Sequence, residues 1–477
     1  MSTGTISRRD LFHMGAGAMA TVGLAPLALT KSASASGSGV SSPVAEVGND
    51  LNSINQAFAF QEMMMDAYAT GETVRLTQSY SDAALGATAF TYDNAVSIHA
   101  YLLLGTRDAL NRAKVLGNGL IYAQANNFPV NDGRFAQAYF VNVATSDGAY
   151  ITPAGFPFFF YGSAVGDQAW AGMALAQLYR RTGQAKYLTA ALSVANWIVT
   201  NTYNTLGAGG FSYGTFINPS NQSEPSPNGK STEHNIDTYA FFTMLAELTH
   251  NGNASNGASW ASLAQHALAF VTAMYNSAGG YFYTGTQGDQ ITINTFPIPE
   301  DCQTWSYLGL LDNQYKQTID WALANLQSTD TASSVNSDLT GTEKITGMVY
   351  DTASLAPTIA GCDPNAVWLE GTAHTVAALV ARAIAGRDSL PTLLKDLTTA
   401  IGFLGQLQTA QSELGAEQTV NGVTIPVGQG LVASTSVMDT GFGFTYGPSL
   451  HIGATGWYLI AALRGNPFQL GYVSVPR

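Results

Sequence analysis

Acidic and polar residues recur in this chain at the starts of apolar segments that carry almost no charge. The recurring clusters lie 66 to 81 residues apart, at Asp93, Asp167, Glu233, Asp301, Glu370 and His451. Only 32 of 477 residues are acidic, yet each of the first five clusters holds a carboxylate. Two carboxylates can cleave a glycosidic bond, because one protonates the leaving oxygen while the other activates water or attacks carbon.

The densest cluster surrounds Glu233. On a helix Glu233 and Asp237 share one face because they stand four residues apart, and His234 is adjacent. Ser231 or Thr232 can cap the helix N-terminus. We predict that Glu233 is catalytic and that Asp237 and His234 bind or orient the substrate; the alternative is that Glu233 only caps the helix.

A proton donor at a helix N-terminus has to overcome the helix dipole, which lowers the pKa of a carboxyl group. Partial desolvation raises the pKa again. Glu370 fits this requirement because Trp368 flanks it, and Glu300 could have its pKa raised by the neighbouring Asp301. We predict that Glu370 and Asp301 join Glu233 as catalytic residues.

Other residues in the clusters are predicted to bind substrate. Sugar rings stack on aromatic faces, and tryptophans recur in phase at the cluster positions. The predicted binding residues are Tyr92, Asp93, Trp170, Trp305 and Trp368. Asp93 could equally be a structural cap, Asp167 fits a cap with a sugar contact, and each tryptophan taken singly could belong to the core.

The segments after the clusters predict pairs of helices. Residues 237–245 and 372–380 are apolar on every side, which is typical of an interior helix. The next segment in each unit has apolar residues three and four apart, as in 188–198, and predicts an outer helix with one solvated face. Gly/aromatic segments such as 209–214 and 279–285 then return the chain as short extended loops.

Six inner helices but only five following outer helices can be counted, and residues 51–68 can supply the missing outer partner. We therefore predict an all-α fold, an (α/α)6 barrel of six helical hairpins with its Gly/aromatic loops at one mouth. An open helical array is the alternative. It would need polar capping repeats, whereas the last helix, 455–463, is apolar to its end.

This pattern resembles the six-hairpin glycosidase superfamily, the glucoamylase-like and cellulase-like toroids, over most of residues 50–470. The resemblance implies a cleft at the N-terminal ends of the inner helices and hydrolysis of a poly- or oligosaccharide, with inversion at the anomeric carbon. No full motif of one glycosidase family is present, so the resemblance does not identify the sugar.

Two other functions stay open on the same scaffold. A polysaccharide lyase or sugar epimerase takes a proton from carbon, for which His234, Asn235 and Tyr239 could serve. No arginine stands at any inner helix start to neutralise a substrate carboxylate. A non-catalytic glycan-binding protein is the third possibility, although binding alone does not require so many carboxylates.

The N-terminus predicts export. Residues 7–12 read Ser-Arg-Arg-Asp-Leu-Phe, and an apolar stretch and an Ala33-Ser34-Ala35 cleavage site follow. The paired arginines resemble a twin-arginine signal, which implies a periplasmic or secreted protein. We assign 1–35 to the signal peptide, 36–50 to a flexible linker, 51–470 to the barrel and 471–477 to a tail.

The composition restricts the partners. The formal charge is −13, and about −15 without the first 35 residues, so binding to nucleic acid or to an anionic membrane is not expected. We expect a monomer that acts on carbohydrate, with no cofactor motif and no metal site, although calcium among the carboxylates stays open. Cys302 and Cys362 could form a disulfide in an oxidising compartment.

Overall fold

A computed structural model of the chain describes residues 43–68, 74–127, 130–147, 149–153, 162–215, 229–385 and 388–471. For residues 43–50 only the backbone is described. The predicted signal peptide and most of the predicted tail lie outside these ranges. In the described part, no helix combines the length and the apolar character needed to cross a membrane.

The described chain is mostly helical. In chain order the helices are α1 Pro43–Met65, α2 Thr91–Leu104, α3 Arg107–Ala125, α4 Val165–Thr182, α5 Ala185–Thr202, α6 Thr232–Leu248, α7 Trp260–Ala273, α8 Asp301–Leu310, α9 Gln317–Asn325, α10 Leu369–Ala385, α11 Leu390–Glu413 and α12 Ile452–Ala462, with a 3-10 turn at Asn313–Tyr315.

The even-numbered helices form a closed inner ring. Each packs against the even-numbered helices before and after it, and α12 returns to α2. Each odd-numbered helix from α3 to α11 backs the inner helix that precedes it, and α1 backs α12. The predicted (α/α)6 barrel is confirmed, including the closure by the N-terminal helix.

The linker prediction was wrong for residues 43–50, which are helical. Pro43 suits the first turn of a helix, because an N–H group at that position would have no intrahelical partner.

Burial explains the inner ring. Helix α12 is buried from Ile452 to Ala461, and most apolar residues of the other inner helices are also buried, apart from those near the helix ends such as Ile384. Small residues allow close approach: a Cβ on Gly172 of α4 would lie 2.2 Å from the Phe241 ring of α6. Gly105 and Gly183 end α2 and α4 in the left-handed conformation that favours glycine.

The strands are short. They are β1 Thr88–Phe90, β2 Ala138–Phe140, β3 Thr152–Pro153, β4 Ser163–Ala164, β5 Gly214–Thr215, β6 Tyr275–Asn276, β7 Tyr281–Phe282, β8 Gly285–Thr286, β9 Ile293–Asn294, β10 Gln327–Thr331, β11 Lys344–Met348, β12 Thr419–Val420, β13 Val423–Thr424, β14 Leu431–Val432, β15 Met438–Asp439, β16 Thr445–Tyr446 and β17 Leu450–His451.

All strand pairs are antiparallel, and β1, β2 and β3 form one three-stranded sheet. Strands β1, β4 and β17 run directly into the inner helices α2, α4 and α12. The extended segments therefore surround the N-terminal ends of inner helices, where the predicted site residues begin. The longest hairpin, β10–β11, pairs Gln327 with Met348 and Thr331 with Lys344.

Candidate active site

Five inner helices carry a carboxylate in their first turn, and the residues are Asp93, Asp167, Glu233, Asp301 and Glu370. Asp93, Asp167 and Glu233 do not occupy the N-cap positions of their helices. Ser231 caps α6 by accepting a hydrogen bond from the His234 backbone N–H at 3.2 Å, and α2 and α4 begin without a side-chain cap. The capping alternative for Glu233 is therefore wrong.

Glu370 lies at the centre of a buried network. Tyr92 Oη donates to Glu370 Oε1 at 2.5 Å and itself accepts from Trp457 Nε1 at 2.7 Å. His374 Nε2 lies 3.6 Å from Glu370 Oε1, and His451 Nδ1 lies 3.7 Å from Glu370 Oε2. Burial raises the pKa of Glu370, but the two histidines and the Tyr92 hydrogen bond outweigh burial and lower it below its ordinary value. This direction is opposite to the raised pKa that the sequence suggested.

His374 connects Glu370 to a second carboxylate. Its Nδ1 lies 3.2 Å from Glu300 Oε2, and Thr375 Oγ1 donates to Glu300 Oε1 at 2.8 Å. Both His374 and Glu300 are completely buried. Burial lowers the pKa of His374, but Glu300 and Glu370 outweigh burial and raise it to about 8. His374 is therefore largely cationic at neutral pH.

His451 makes the equivalent connection to Asp93. Its Nε2 lies 3.1 Å from Asp93 Oδ2, its Nδ1 accepts from the Ala454 backbone N–H at 3.3 Å, and its ring stacks on Tyr80 with centroids 4.2 Å apart. Burial lowers the pKa of His451, but Asp93 and Glu370 raise it overall. This sixth helix start lacks an acid, yet it belongs to the site, because His451 contacts two of the carboxylates.

We call these residues the paired group: Glu370, Glu300, Asp93, His374 and His451. A second set, the acid group, consists of Asp167, Glu233, Asp237 and Asp301 on α4, α6 and α8. In the acid group, His234 Nε2 lies 4.0 Å from Glu233 Oε2, and the charge of His374 partly opposes the rise in the pKa of Asp301. Burial lowers the pKa of His234 to about 4, so this ring is neutral.

The acid group consequently binds its protons more tightly than free carboxyl groups do. Burial raises the pKa of Asp167 to about 8, helped by Asp93, and the pKa of Asp301 to about 7, helped by Glu300. The pKa of Glu233 is raised well above its ordinary value by burial and by the charges of Asp301 and Asp167. The Glu233 side chain nevertheless remains 29% exposed, so it can meet a ligand in the mouth.

Asp237 lies one helical turn beyond Glu233 and is completely buried. Neither of its carboxylate oxygens has a hydrogen-bond partner in the described part of the chain. Burial and the nearby Glu233 and Asp301 raise its pKa well above the ordinary value. Lys230 precedes α6, and its Nζ is directed to the carbonyls of Leu206 and Gly209, to which it donates.

The predicted tryptophans line the floor of the site. Trp170 and Trp457 are completely buried, and their ring centroids lie 5.7 Å apart. Trp305 packs against both and, like Trp368, is 3% exposed. Trp170 has no accessible face in this structure, which argues against its predicted contact with a sugar. The predicted contacts of Trp305 and Trp368 are limited to a small accessible part of each ring.

The accessible rings were missed by the sequence reasoning. Tyr350 and Tyr446 are partly exposed, and Phe442 and Phe444 are each 46% exposed. Trp368 stacks on Tyr446, with an interplanar angle of 14°. The alternation of aromatic residues with glycine and threonine at 442–446 was the signal that could have identified this surface.

Cys302 and Cys362 are both buried and both free, so the structure contains no disulfide between them.

Within the described ranges, no three His, Cys, Asp or Glu side chains converge as they would around a metal ion. A surface pocket between α3 and α5, lined by Gln124, Lys186 and Ser193 among others, contains none of the carboxylates described above.

No protein-family model matches this chain, and no curated protein matches its sequence. Solved structures do resemble its fold. A glycosidase variant in complex with glucose is 11% identical, with a TM-score of 0.55, and the match covers 89% of this chain and 99% of that one. The cellobiose 2-epimerase of Spirochaeta thermophila is 13% identical, with a TM-score of 0.55 and coverage of 87% and 96%. A GH76 α-mannanase of Bacteroides thetaiotaomicron is 12% identical, with a TM-score of 0.52 and coverage of 87% and 95%. The chain therefore shares the (α/α)6 toroid fold with these structures.

Proposed function

We propose that the protein is a glycoside hydrolase in which Glu370 is the general base and Glu233 the general acid. One observation carries the proposal: around one mouth, Glu370 contacts two histidines and the Tyr92 hydroxyl group, whereas the groups that act on Glu233 are other acids. Glu370 is ionised because two histidines and Tyr92 stabilise its charge, whereas Glu233 keeps its proton because it is partly buried among other acids. Glycosidic bond hydrolysis needs this combination.

In the proposed reaction, Glu233 donates its proton to the glycosidic oxygen while the bond from that oxygen to the anomeric carbon breaks. Glu370 takes a proton from a water molecule, whose oxygen attacks the anomeric carbon from the opposite face. Asp301 supports the acid, because repulsion between the two carboxylates opposes ionisation of both and so raises the pKa of Glu233. A base that acts through water inverts the configuration at the anomeric carbon.

The test is hydrolysis of a panel of neutral oligosaccharides by the wild type and by Glu233→Gln and Glu370→Gln. We expect kcat to fall by a factor of about 100 to 10,000 in each variant, the usual contribution of a general acid or base. Glu413→Gln, an exposed change at the end of α11, is the matched control. Full activity in both site variants would contradict the assignment, and NMR of the first product anomer tests inversion.

A sugar epimerase is the second candidate, because two histidine–carboxylate pairs, His374–Glu300 and His451–Asp93, lie in the site. An epimerase moves a proton to and from a sugar carbon. We rank it second because His374 is completely buried and His451 is 2% exposed, whereas Glu233 is accessible. Incubation with cellobiose in D2O separates the candidates: deuterium on a ring carbon with an intact linkage indicates epimerisation.

We also propose that the enzyme acts outside the cytoplasm, after twin-arginine export. The support is the Arg8-Arg9 pair followed by an apolar stretch and a small-residue cleavage site. Fractionation of cells that express the full chain tests this, and retention of an uncleaved protein in the cytoplasm would contradict it.

A further inference from the structure

Two phenylalanines are exposed beside the mouth of the barrel. Phe442 and Phe444 lie between β15 and β16, in the connection that leads from α11 to α12, and each is 46% exposed. Leaving large apolar side chains in water forgoes about 25 cal/mol for each Å² that could be buried. Two such rings at one hairpin tip therefore form an apolar surface that a ligand can cover.

These rings belong to an aromatic surface that reaches the proposed base. Phe444 contacts Tyr446, with ring centroids 5.7 Å apart, and Tyr446 stacks on Trp368 at 6.2 Å. Tyr350 contacts both Phe442 and Phe444, at 6.2 and 6.3 Å. Trp368 stands two residues before Glu370. The aromatic surface thus runs from solvent to the catalytic end of α10.

Hydrogen bonds at its base fix the backbone of this hairpin. Asp439 Oδ1 accepts from the Gly441 backbone N–H at 2.8 Å, and Asp439 Oδ2 accepts from the Thr358 backbone N–H, also at 2.8 Å. Thr440 Oγ1 donates to the Phe444 carbonyl at 2.8 Å. Gly441 has φ of +70°, and a Cβ there would lie 2.9 Å from Asp351 Oδ2. The rings are therefore positioned before a ligand arrives, which reduces the entropy lost on binding.

We propose that Phe442, Phe444 and Tyr446 form a distal sugar-binding subsite, so that the substrate is an uncharged glycan longer than a disaccharide. The inference rests on the proposed function, since it places the cleaved bond at Glu370. Pyranose rings present C–H faces that pack on aromatic rings. Among the described residues, no lysine or arginine lies over any ring of this aromatic surface, so it offers a glycan apolar contact without recognition of an anionic group.

The test compares chain lengths in a Phe442→Ala/Phe444→Ala double variant. The probes are cellohexaose, maltohexaose and mannohexaose, each with its disaccharide, and the measured quantity is the ratio of kcat/KM for the hexaose to that for the disaccharide. We expect this ratio to fall about tenfold, since stacking on an aromatic ring contributes of the order of 1 kcal/mol. Leu394→Ala, an equally exposed apolar change on the outer helix α11, should keep the wild-type ratio.

An unchanged ratio in the double variant would overturn the subsite. Calorimetric titration with the same hexaoses keeps the test independent of turnover: weakened binding in the double variant supports the subsite even if no hydrolysis occurs. Failure of the proposed catalytic role of Glu370 would be recognised separately, because Glu370→Gln would then retain full turnover. The alternative ligand of the aromatic surface is a second copy of the chain, and sedimentation of the wild type and the double variant tests this. A dimer that the substitutions dissociate, with glycan binding unchanged, would also overturn the proposal.

Discussion

Replacing Glu300 by glutamine should make the proposed base harder to ionise, although Glu300 does not contact Glu370. Glu300 is completely buried, and it acts on Glu370 through His374. Glutamine preserves the shape, and its Oε1 can still accept from Thr375 Oγ1. The lost charge removes a main reason for the raised pKa of His374, so His374 becomes neutral. Glu370 then loses a cation 3.6 Å away, and its pKa rises.

The magnitude follows from the geometry. Two unit charges about 4 Å apart interact by about 4 kcal/mol at an effective dielectric constant of about 20. That energy corresponds to about 3 pKa units. His451 Nδ1 stays 3.7 Å from Glu370, and neutral His374 can still direct an N–H toward it. We therefore expect the pKa of Glu370 to rise by one to three units, roughly.

The assay is the pH dependence of kcat on the best substrate of the panel. The acid limb, which reports the base in the enzyme–substrate complex, should move to higher pH while the alkaline limb stays in place. Glu413→Gln should leave both limbs unchanged. NMR titration of the His374 ring gives a readout without turnover, with its pKa falling from about 8 to below 6.5. A folded Glu300→Gln protein with an unmoved acid limb and an unmoved His374 pKa would refute the reasoning.

Two predictions concern stability. Arg382 is buried and donates to both oxygens of buried Asp396 at 2.9 and 2.7 Å, so Arg382→Met should cost about 3–5 kcal/mol in urea unfolding, and adding Asp396→Leu should restore much of it; equal stability of Arg382→Met and wild type would contradict this. Burial raises the pKa of Asp351 to about 7, so its contribution to stability is present below about pH 4 and is lost as the pH rises through 7. Relative to wild type, Asp351→Asn should therefore gain about 2–3 kcal/mol between pH 5 and pH 8 in thermal melts, and a pH-independent difference would argue against this.

The fold could be predicted because its signal is periodic. An apolar helix with an acidic or polar first turn recurs after 66 to 81 residues, and a ring is the arrangement that brings such starts to one mouth. The start of α1 is less well predicted: the sequence places the end of the linker at residue 50, whereas the helix begins eight residues before residue 51, at Pro43. Helix existence depends on a long pattern, whereas a boundary depends on a few residues, so boundaries are predicted less accurately.

The protonation states could not be read from the sequence in the same way. A helix N-terminus favours a carboxylate by about 1 kcal/mol at most at exposed positions, and that argument predicts lowered pKa values for all five acids. Burial and neighbouring acids reverse the effect at Asp167 and Glu233. At Glu370 the pKa does fall, but because of His374 and His451. His374 was visible four residues after Glu370; His451 is 81 residues away, and only the closed ring brings it into contact.

The division of the ring into a paired group and an acid group explains how carboxylates at equivalent positions of the repeat can serve as general base and general acid. A ring lined by acids alone would raise every pKa by desolvation and repulsion, and none would be ionised at neutral pH to serve as a base. A lysine or arginine at the mouth would ionise its neighbours indiscriminately, because its long side chain reaches several of them. Buried histidines act at short range: His374 and His451 contact Glu370 but not Glu233. Sequence reasoning that counts only acids therefore overlooks the residues that decide which acid becomes the base.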